Sequence, residues 1–309
     1  DLDEDQKRFL LSNFFQLNRR TQIDPIPRYR QLLEMKGDQE RIVGKKALER
    51  FGEDDLRDLQ VHFNLAWSGW LLRDREPAKA LLEKGANYTE EEKLSLLNAQ
   101  REFLGEVIDP YRRLAEAGMA ELSTTPFYHP ILPLLCDVRS AREAVRDLPL
   151  PKVDFRRSED AEYQIEAGLA FAEKVLEKRP AGMWPSEGSI SAEACELMAG
   201  AGVRWAATDR AVLANCLGRD PGADDLYAPH ALKTPSGEIA LFFRDTQLSD
   251  SLGFIYQNWN PERAAADFIA RIEQITSKYK GDGTPVVSVI LDGENAWGYY
   301  PDNGRAFFE

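Results

Sequence analysis

GMWPSEGSISAEACELMAGAGVRWAATD, residues 182–209, reads as one strand–helix–strand unit. An apolar run at 182–184 leads into Pro185, Ser186 and Glu187. A helix then opens near Ser191 and closes in the glycine region 200–202, and a second run at 203–208 ends on Asp209. Two short apolar runs bracketing an amphipathic helix describe a parallel crossover, because parallel strands need a connection of that length. The pattern extends on either side, with further runs at 121–125, 239–244 and 286–291. The intervening helices have legible ends. One starts at Ser158, carries Glu159 and Asp160 in its first turn and stops at Pro180; another is capped by Asn260, has Pro261 at its first position and ends before Gly281. Strands alternating with helices predict a parallel sheet covered on both faces. No Gly-rich phosphate loop follows any run, so the α/β class expected is a β/α barrel rather than an open nucleotide-binding sheet.

Working outward, the texture changes at Gly118. Residues 1–118 read mostly as helix and are expected to form a helical segment packed on the barrel region, 119–309. Residues 5–18 carry Phe9, Leu10, Phe14 and Phe15 at helical spacing, and 56–72 form a second candidate helix rich in aromatics. Within it Trp67 and Trp70 are expected to pack inside the helical layer. Thr89 followed by Glu92 is a capping box that opens a helix reaching Asp109. Pro110 either kinks that helix or begins a second one, which stops at Gly118.

Composition bounds the function. A chain of 309 residues with 43% hydrophobic content can bury a sizeable core. The net charge of −13 argues against nucleic acid as a partner and against an anionic membrane surface. No run approaches the length of a membrane span, and no signal peptide is visible. Cys136, Cys195 and Cys216 show no metal-binding spacing and cannot make a disulfide framework. Cys195 reads as a buried free thiol, and reduced thiols point to the cytoplasm. Oligomeric state is not legible.

In a β/α barrel the active site lies at the C-terminal ends of the strands, so the residues after each run carry the chemistry. After 121–125 come Pro126, Phe127, Tyr128 and His129; after 182–184 comes Glu187; after 203–208 comes Asp209. Arg244, Asp245 and Asp250 close and follow the fourth run, and Asp292, Glu294, Trp297, Tyr299 and Tyr300 follow the fifth. Carboxylates interleaved with aromatics suit a sugar substrate, whose apolar ring faces stack and whose hydroxyls bind carboxylates. Two carboxyl groups suffice for glycoside hydrolysis, one to attack or activate water and one to protonate the leaving oxygen. Glu187, Asp209, Asp245, Asp292 and Glu294 are equal candidates on residue type alone.

The segments STTPFYHPILPLL (123–135), GMWPSEGSIS (182–191), FFRDTQLSDSLGF (242–254) and VILDGENAWGYYPDNG (289–304) resemble motifs of glycoside hydrolase family 57, most closely its amylopullulanase-like branch. The resemblance covers the chain after Gly118. It implies an incomplete, seven-stranded β/α barrel and a retaining hydrolase or transglycosylase acting on α-glucans such as starch, glycogen or maltodextrin. It also implies Glu187, which closes Trp184-Pro185-Ser186-Glu187, as nucleophile, and Asp292, which heads Asp292-Gly293-Glu294, as acid/base. Trp184 and the aromatics after Asp292, including Trp297 and Tyr299, would line sugar subsites. No cofactor and no metal is implied, because two carboxyl groups carry the chemistry. The family's His-Gln-Pro motif is missing and the chain stops soon after the last segment, so a fragment lacking the first strand and the C-terminal part is expected.

Plainer roles compete for the same residues. Glu187 could serve the dipole of the helix after Ser191, and Asp292 could be a turn residue before Gly293. His129 and Tyr128 suit sugar contact, and His129 equally suits a structural role. Arg244 and Asp245 suit either a local ion pair or substrate contact. Asp209 and Asp250 read as caps after strands, and Glu294 as support for the site. Three rival functions stand beside the glycosidase: a structural or regulatory module, a non-catalytic glycan-binding relative, and a metal-dependent sugar deacetylase on a similar barrel. The latter needs two histidines on one metal, and only His62, His129 and His230 are present.

Overall fold

The computed structural model describes residues 2–37, 44–293 and 296–309. They fall into two compact units, one of residues 1–106, 251–267 and 291–309, the other of residues 107–250 and 268–290.

The first unit is helical: α1 (Glu4–Asn13), α2 (Pro27–Lys36), α3 (Glu53–Trp67) and α4 (Glu90–Glu106). The Thr89 capping box is present, with Glu92 N donating to Thr89 Oγ1 at 3.2 Å and Thr89 N donating to Glu92 Oε2 at 2.7 Å. Leu11, Ile23, Tyr29, Leu32, Leu56 and Leu59 bury their side chains in its main core. One charge lies inside: Asp58 is fully buried, paired with Arg28 at 2.8 Å and accepting from Tyr88 N at 3.1 Å. Such a pair ties α2 to α3, since either charge alone would be left desolvated.

Two predicted helices are shorter than their apolar periodicity. The first ends at Asn13 rather than running to residue 18, because the Tyr29 hydroxyl takes the Phe14 carbonyl and Asn18 caps a new turn by accepting from Thr21 N at 3.2 Å. The second breaks at Ser68 and Gly69, where the Ser68 hydroxyl donates to Asn64 O at 2.8 Å and the chain turns extended before a short helix, Trp70–Arg73. This break corrects the expected packing of Trp67, which sits on the last turn of α3 and is 58% exposed. Trp70 is half-buried beneath the Arg305 guanidinium.

The second unit is the α/β part. In chain order it holds α5 (Ile108–Glu116), β1 (Ser123–Thr124), α6 (Ser158–Leu176), β2 (Gly182–Met183), α7 (Ala192–Gly200), β3 (Trp205–Asp209), α8 (Arg210–Leu217), β4 (His230–Thr234) and β5 (Gly237–Arg244). Pro110 lies in the first turn of α5, so it begins a second helix, where its missing N–H does no harm. The helix capped by Asn260, α9 (Pro261–Lys278), contributes its later turns to this unit.

The five strands form one sheet in the order β1-β2-β3-β5-β4. The pairs β1/β2, β2/β3 and β3/β5 are parallel, as the strand–helix alternation predicts. The run at 286–291 joins as a parallel bridge from Ser288 to Arg244, with Asp245 N donating to Ser288 O at 2.8 Å. The strand not foreseen is β4, which pairs antiparallel with β5 through a hairpin turn. Among the described residues β1 is a terminal strand and the sheet does not close into a full barrel. Leu132, Ile165, Met183, Met198, Ala206 and Ile239 make the core beneath it. Cys195 is buried there as a free thiol, its pKa pushed up to about 11 by burial.

One close approach sets up the site. Gly168 of α6 lies so near the end of β1 that a Cβ there would stand 2.5 Å from the Thr125 carbonyl oxygen. Only glycine lets the helix seat against the chain leaving the strand.

Candidate active site

The C-terminal ends of β1 and β2 meet. After β1 the chain passes through Thr125 and Pro126 to a tight turn in which His129 N donates to Pro126 O at 3.0 Å. This turn is held by α6: Phe127 N donates to Gln164 O at 3.0 Å and Tyr128 N to Gln164 Oε1 at 2.8 Å. His129 is in the left-handed region, φ +57°, and its exposed ring is fixed at both nitrogens. Thr125 Oγ1 lies 3.2 Å from Nδ1, and Glu187 Oε1 lies 3.3 Å from Nε2. In the tautomer that accepts from the Thr125 hydroxyl at Nδ1, Nε2 carries the proton and donates to the carboxylate.

Glu187 reaches that position through an unusual backbone. It too is left-handed, φ +57°, and lies in a short turn where Gly188 N donates to Pro185 O at 2.8 Å. A non-glycine residue there stores strain that the surroundings must hold in place. The next residue explains how. Gly188 has φ +64°, a Cβ on it would stand 2.9 Å from the Trp184 ring, and its carbonyl accepts from the buried Thr208 hydroxyl of β3. Trp184 is half-buried against this turn, and its N donates to Thr124 O at 2.8 Å, continuing the parallel ladder. The Glu187 side chain keeps 72% of its surface exposed.

The other candidate carboxylates of this unit, Asp209, Asp245 and Asp250, have protein partners. Asp209 caps α8, accepting from Ala211 N at 2.8 Å. Asp245 is 5% exposed and accepts from the Tyr227 hydroxyl at 2.6 Å and from Leu248 N at 2.9 Å. Of the two roles open to Arg244 and Asp245, a mutual ion pair or substrate contact, the mutual pair does not form. Neighbouring side chains of a strand point to opposite sides, and the Arg244 guanidinium pairs instead with Asp250 at 2.7 Å, approaches Asp209 at 3.8 Å and donates from Nε to Ile290 O at 2.7 Å. Burial and the Asp245 carboxylate hold the Tyr227 hydroxyl well above its ordinary pKa.

The last segment belongs to the first unit. Asp292 is exposed there. Glu294 lies outside the described residues. Trp297 is half-buried among Tyr300, Phe307 and Phe308, whereas the Tyr299 ring is exposed. Tyr300 is buried, its hydroxyl donating to Leu252 O at 2.7 Å. His62 is buried in the helical core and His230 Nε2 lies 2.7 Å from Asp225 O. Among the described residues no three His, Cys, Asp or Glu side chains gather as metal ligands. Thr125, Gln164 and Thr208 complete the site without having been singled out from the sequence. Only Thr125, four residues before His129, carried a signal in its spacing.

A mainly parallel strand–helix sheet thus carries an exposed carboxylate beside a histidine at its strand ends. The family model for glycosyl hydrolase family 57 matches residues 7–309, and the chain belongs to that family. Among solved structures it is similar to an alpha-amylase from Thermotoga maritima, at 16% identity and a TM-score of 0.50, over 100% of this chain and 66% of that one. It is also similar to a branching enzyme of the family from Thermococcus kodakaraensis, solved with glucose and additives, at 14% identity and a TM-score of 0.52, over 97% of this chain and 62% of that one. These likenesses bear on the fold, an incomplete β/α barrel; the chain spans just under two thirds of each structure's length. No curated protein gives a significant match. No described helix is long and apolar enough to cross a membrane.

Proposed function

We propose that the protein is a retaining glycoside hydrolase or transglycosylase acting on α-glucans, with Glu187 as nucleophile and Asp292 as acid/base. The observation that carries this reading is the presentation of Glu187. Among the described residues it is the one candidate carboxylate held in a strained left-handed turn at the strand ends, exposed, and beside a histidine that is itself in contact with Thr125. Strain at an exposed polar residue is a signature of function rather than packing.

The chemistry follows from these groups. Donation from His129 Nε2 fixes Oε1 of Glu187 and leaves Oε2 to attack the anomeric carbon. Asp292 gives its proton to the departing glycosidic oxygen, so a glucosyl ester of Glu187 forms as the C–O bond breaks. Asp292 then accepts a proton from water or from a sugar hydroxyl, whose oxygen displaces Glu187. Water gives hydrolysis and a sugar hydroxyl gives transfer. Trp184, Trp297 and Tyr128 supply ring faces for sugar stacking, and no dissociable cofactor is required. The substrates are neutral glucans, in keeping with a net charge of −13, which argues against a polyanionic partner.

Azide tests the two roles separately. Glu187→Ala with azide and an activated α-glucoside should yield the β-glucosyl azide, because azide attacks directly in place of the missing carboxylate. Asp292→Ala should yield the α-glucosyl azide, formed from the enzyme ester. The same anomer from both variants, or starch cleavage at the wild-type rate by either, contradicts the assignment.

A further inference from the structure

The run at 286–291 is held only partly by backbone pairing, and what holds the rest leads to Asp292. Among the described residues it meets the sheet in one bridge, Ser288 to Arg244. Asp245 N closes that contact by donating to Ser288 O at 2.8 Å. A continuing parallel ladder would set Ile290 opposite Thr246. There, however, the chain has turned into a short helix, Thr246–Asp250. Asp245 starts that turn, its carboxylate accepting from Leu248 N at 2.9 Å and from the Tyr227 hydroxyl at 2.6 Å. The strand that Ile290 would pair with has ended.

Two side chains take its place. Ile290 N donates to Ser249 Oγ at 3.0 Å, and Ile290 O accepts from Arg244 Nε at 2.7 Å. Both backbone groups of one residue are thus held as a strand would have held them. Ser249 is fully buried, and its hydroxyl donates to Asp245 O at 2.6 Å. A serine has one proton to give, so with that proton committed it meets Ile290 as an acceptor. Arg244 has an anchor of its own as well, since Nη2 pairs with Asp250 at 2.7 Å. Asp292 follows Ile290 by two residues, a span of at most about 7 Å. Over so short a span the direction of the backbone at Ile290 decides where the Asp292 carboxyl group can go.

We propose that Ser249 and Arg244 are positioning residues for the acid/base, a side-chain clamp on Ile290 that aims Asp292. The proposal rests on the acid/base reading of Asp292 given above. It adds that the carboxyl group is placed from outside its own segment, by a buried serine and by an arginine already paired with Asp250.

The test compares kcat/KM for maltoheptaose, whose sugar leaving group needs a proton, with kcat/KM for α-maltosyl fluoride, whose fluoride leaves without one. This ratio ends at formation of the enzyme ester, so the later step in which Asp292 acts as base does not enter it. Ser249→Ala removes the acceptor for Ile290 N. Arg244→Lys keeps a cation for Asp250 and removes the Nε donor. Both variants of the full chain and Asp292→Asn are measured beside the wild type, with chemical denaturation to establish folding; either clamp variant decides where the other does not fold. Each clamp variant should lose about 10- to 100-fold on maltoheptaose and far less on the fluoride, the selectivity of Asp292→Asn in smaller measure. A merely structural role would lower both substrates alike. Equal losses on the two substrates, or wild-type kinetics in the folded clamp variants, beside a selective Asp292→Asn, overturn the clamp and leave the catalytic reading standing. If Asp292→Asn shows no selectivity, the acid/base reading falls and the clamp falls with it.

Discussion

His129 Nε2 lies 3.3 Å from Glu187 Oε1, and both residues hold left-handed backbone conformations at adjoining strand ends. The contact joins the turn after β1 to the turn after β2, so anything that moves one turn moves the carboxylate. Because the Glu187 side chain is otherwise exposed, the histidine is what gives it a defined direction.

Replacing His129 with Ala is therefore expected to lower kcat about 10- to 100-fold, the scale of misplacing a reacting group. KM should change much less, and His129→Gln, which can still donate to Oε1, should recover part of the loss. Steady-state kinetics on a maltooligosaccharide series check this. A pure KM effect would make His129 a substrate contact only.

Gly168→Ala should damage the site from a distance. Its Cβ would stand 2.5 Å from the Thr125 carbonyl oxygen, so either α6 or the turn carrying His129 must shift. Overpacking of this kind costs about 1–3 kcal/mol. Chemical denaturation should show that loss, with activity falling further than stability at 25 °C explains. A variant as stable and active as wild type would show that the two elements do not depend on their close contact.

His62 makes the helical unit sensitive to acid. Its ring is buried between Tyr29 and Tyr88, and burial lowers its pKa to about 4, with Asp58 opposing and Arg28 reinforcing that shift. In the unfolded chain the pKa returns to about 6.5, so the unfolded state binds more protons between those values. Stability contributed by the neutral ring is present above pH 6.5 and is lost as pH falls toward 4. Unfolding free energy should drop by about 2 kcal/mol from pH 7 to pH 5 through this group. His62→Leu should flatten that part of the profile, as urea denaturation at the two pH values would record. An unchanged slope would mean that the ring is protonated in the folded state.

How much of this was legible in the sequence depended on range. Local signals were read directly: the Thr89–Glu92 box, the Ser191 and Asn260 caps and Pro261 at a first helical turn all use groups within four residues. The parallel order of four runs followed from the helices between them. The hairpin strand β4 was missed because HALKT (230–234) has neither a strong apolar run nor strict alternation. Trp67 was misplaced because apolar periodicity continues through residues 68 and 69, where Ser68 bonds back to Asn64 and ends the helix. For Arg244 the sequence offers Asp245 as ion-pair partner or a substrate contact in its place, whereas Asp250, which does pair with it, is brought round by the helical turn after β5. The candidate carboxylates could be enumerated from the sequence, but the contact of His129 with Glu187, 58 residues apart, is a property of the folded sheet.

The central claim is that a glucosyl ester forms on Glu187. The most direct measurement is mass spectrometry of peptides from the protein after reaction with a 5-fluoro-α-glucosyl fluoride, which forms the ester quickly and releases it slowly. The account predicts one added fluoroglucosyl group, carried on the peptide that contains Glu187 and absent from the Glu187→Gln protein. Steady turnover of α-glucan with no adduct at Glu187, or with the label on another carboxylate, would contradict it.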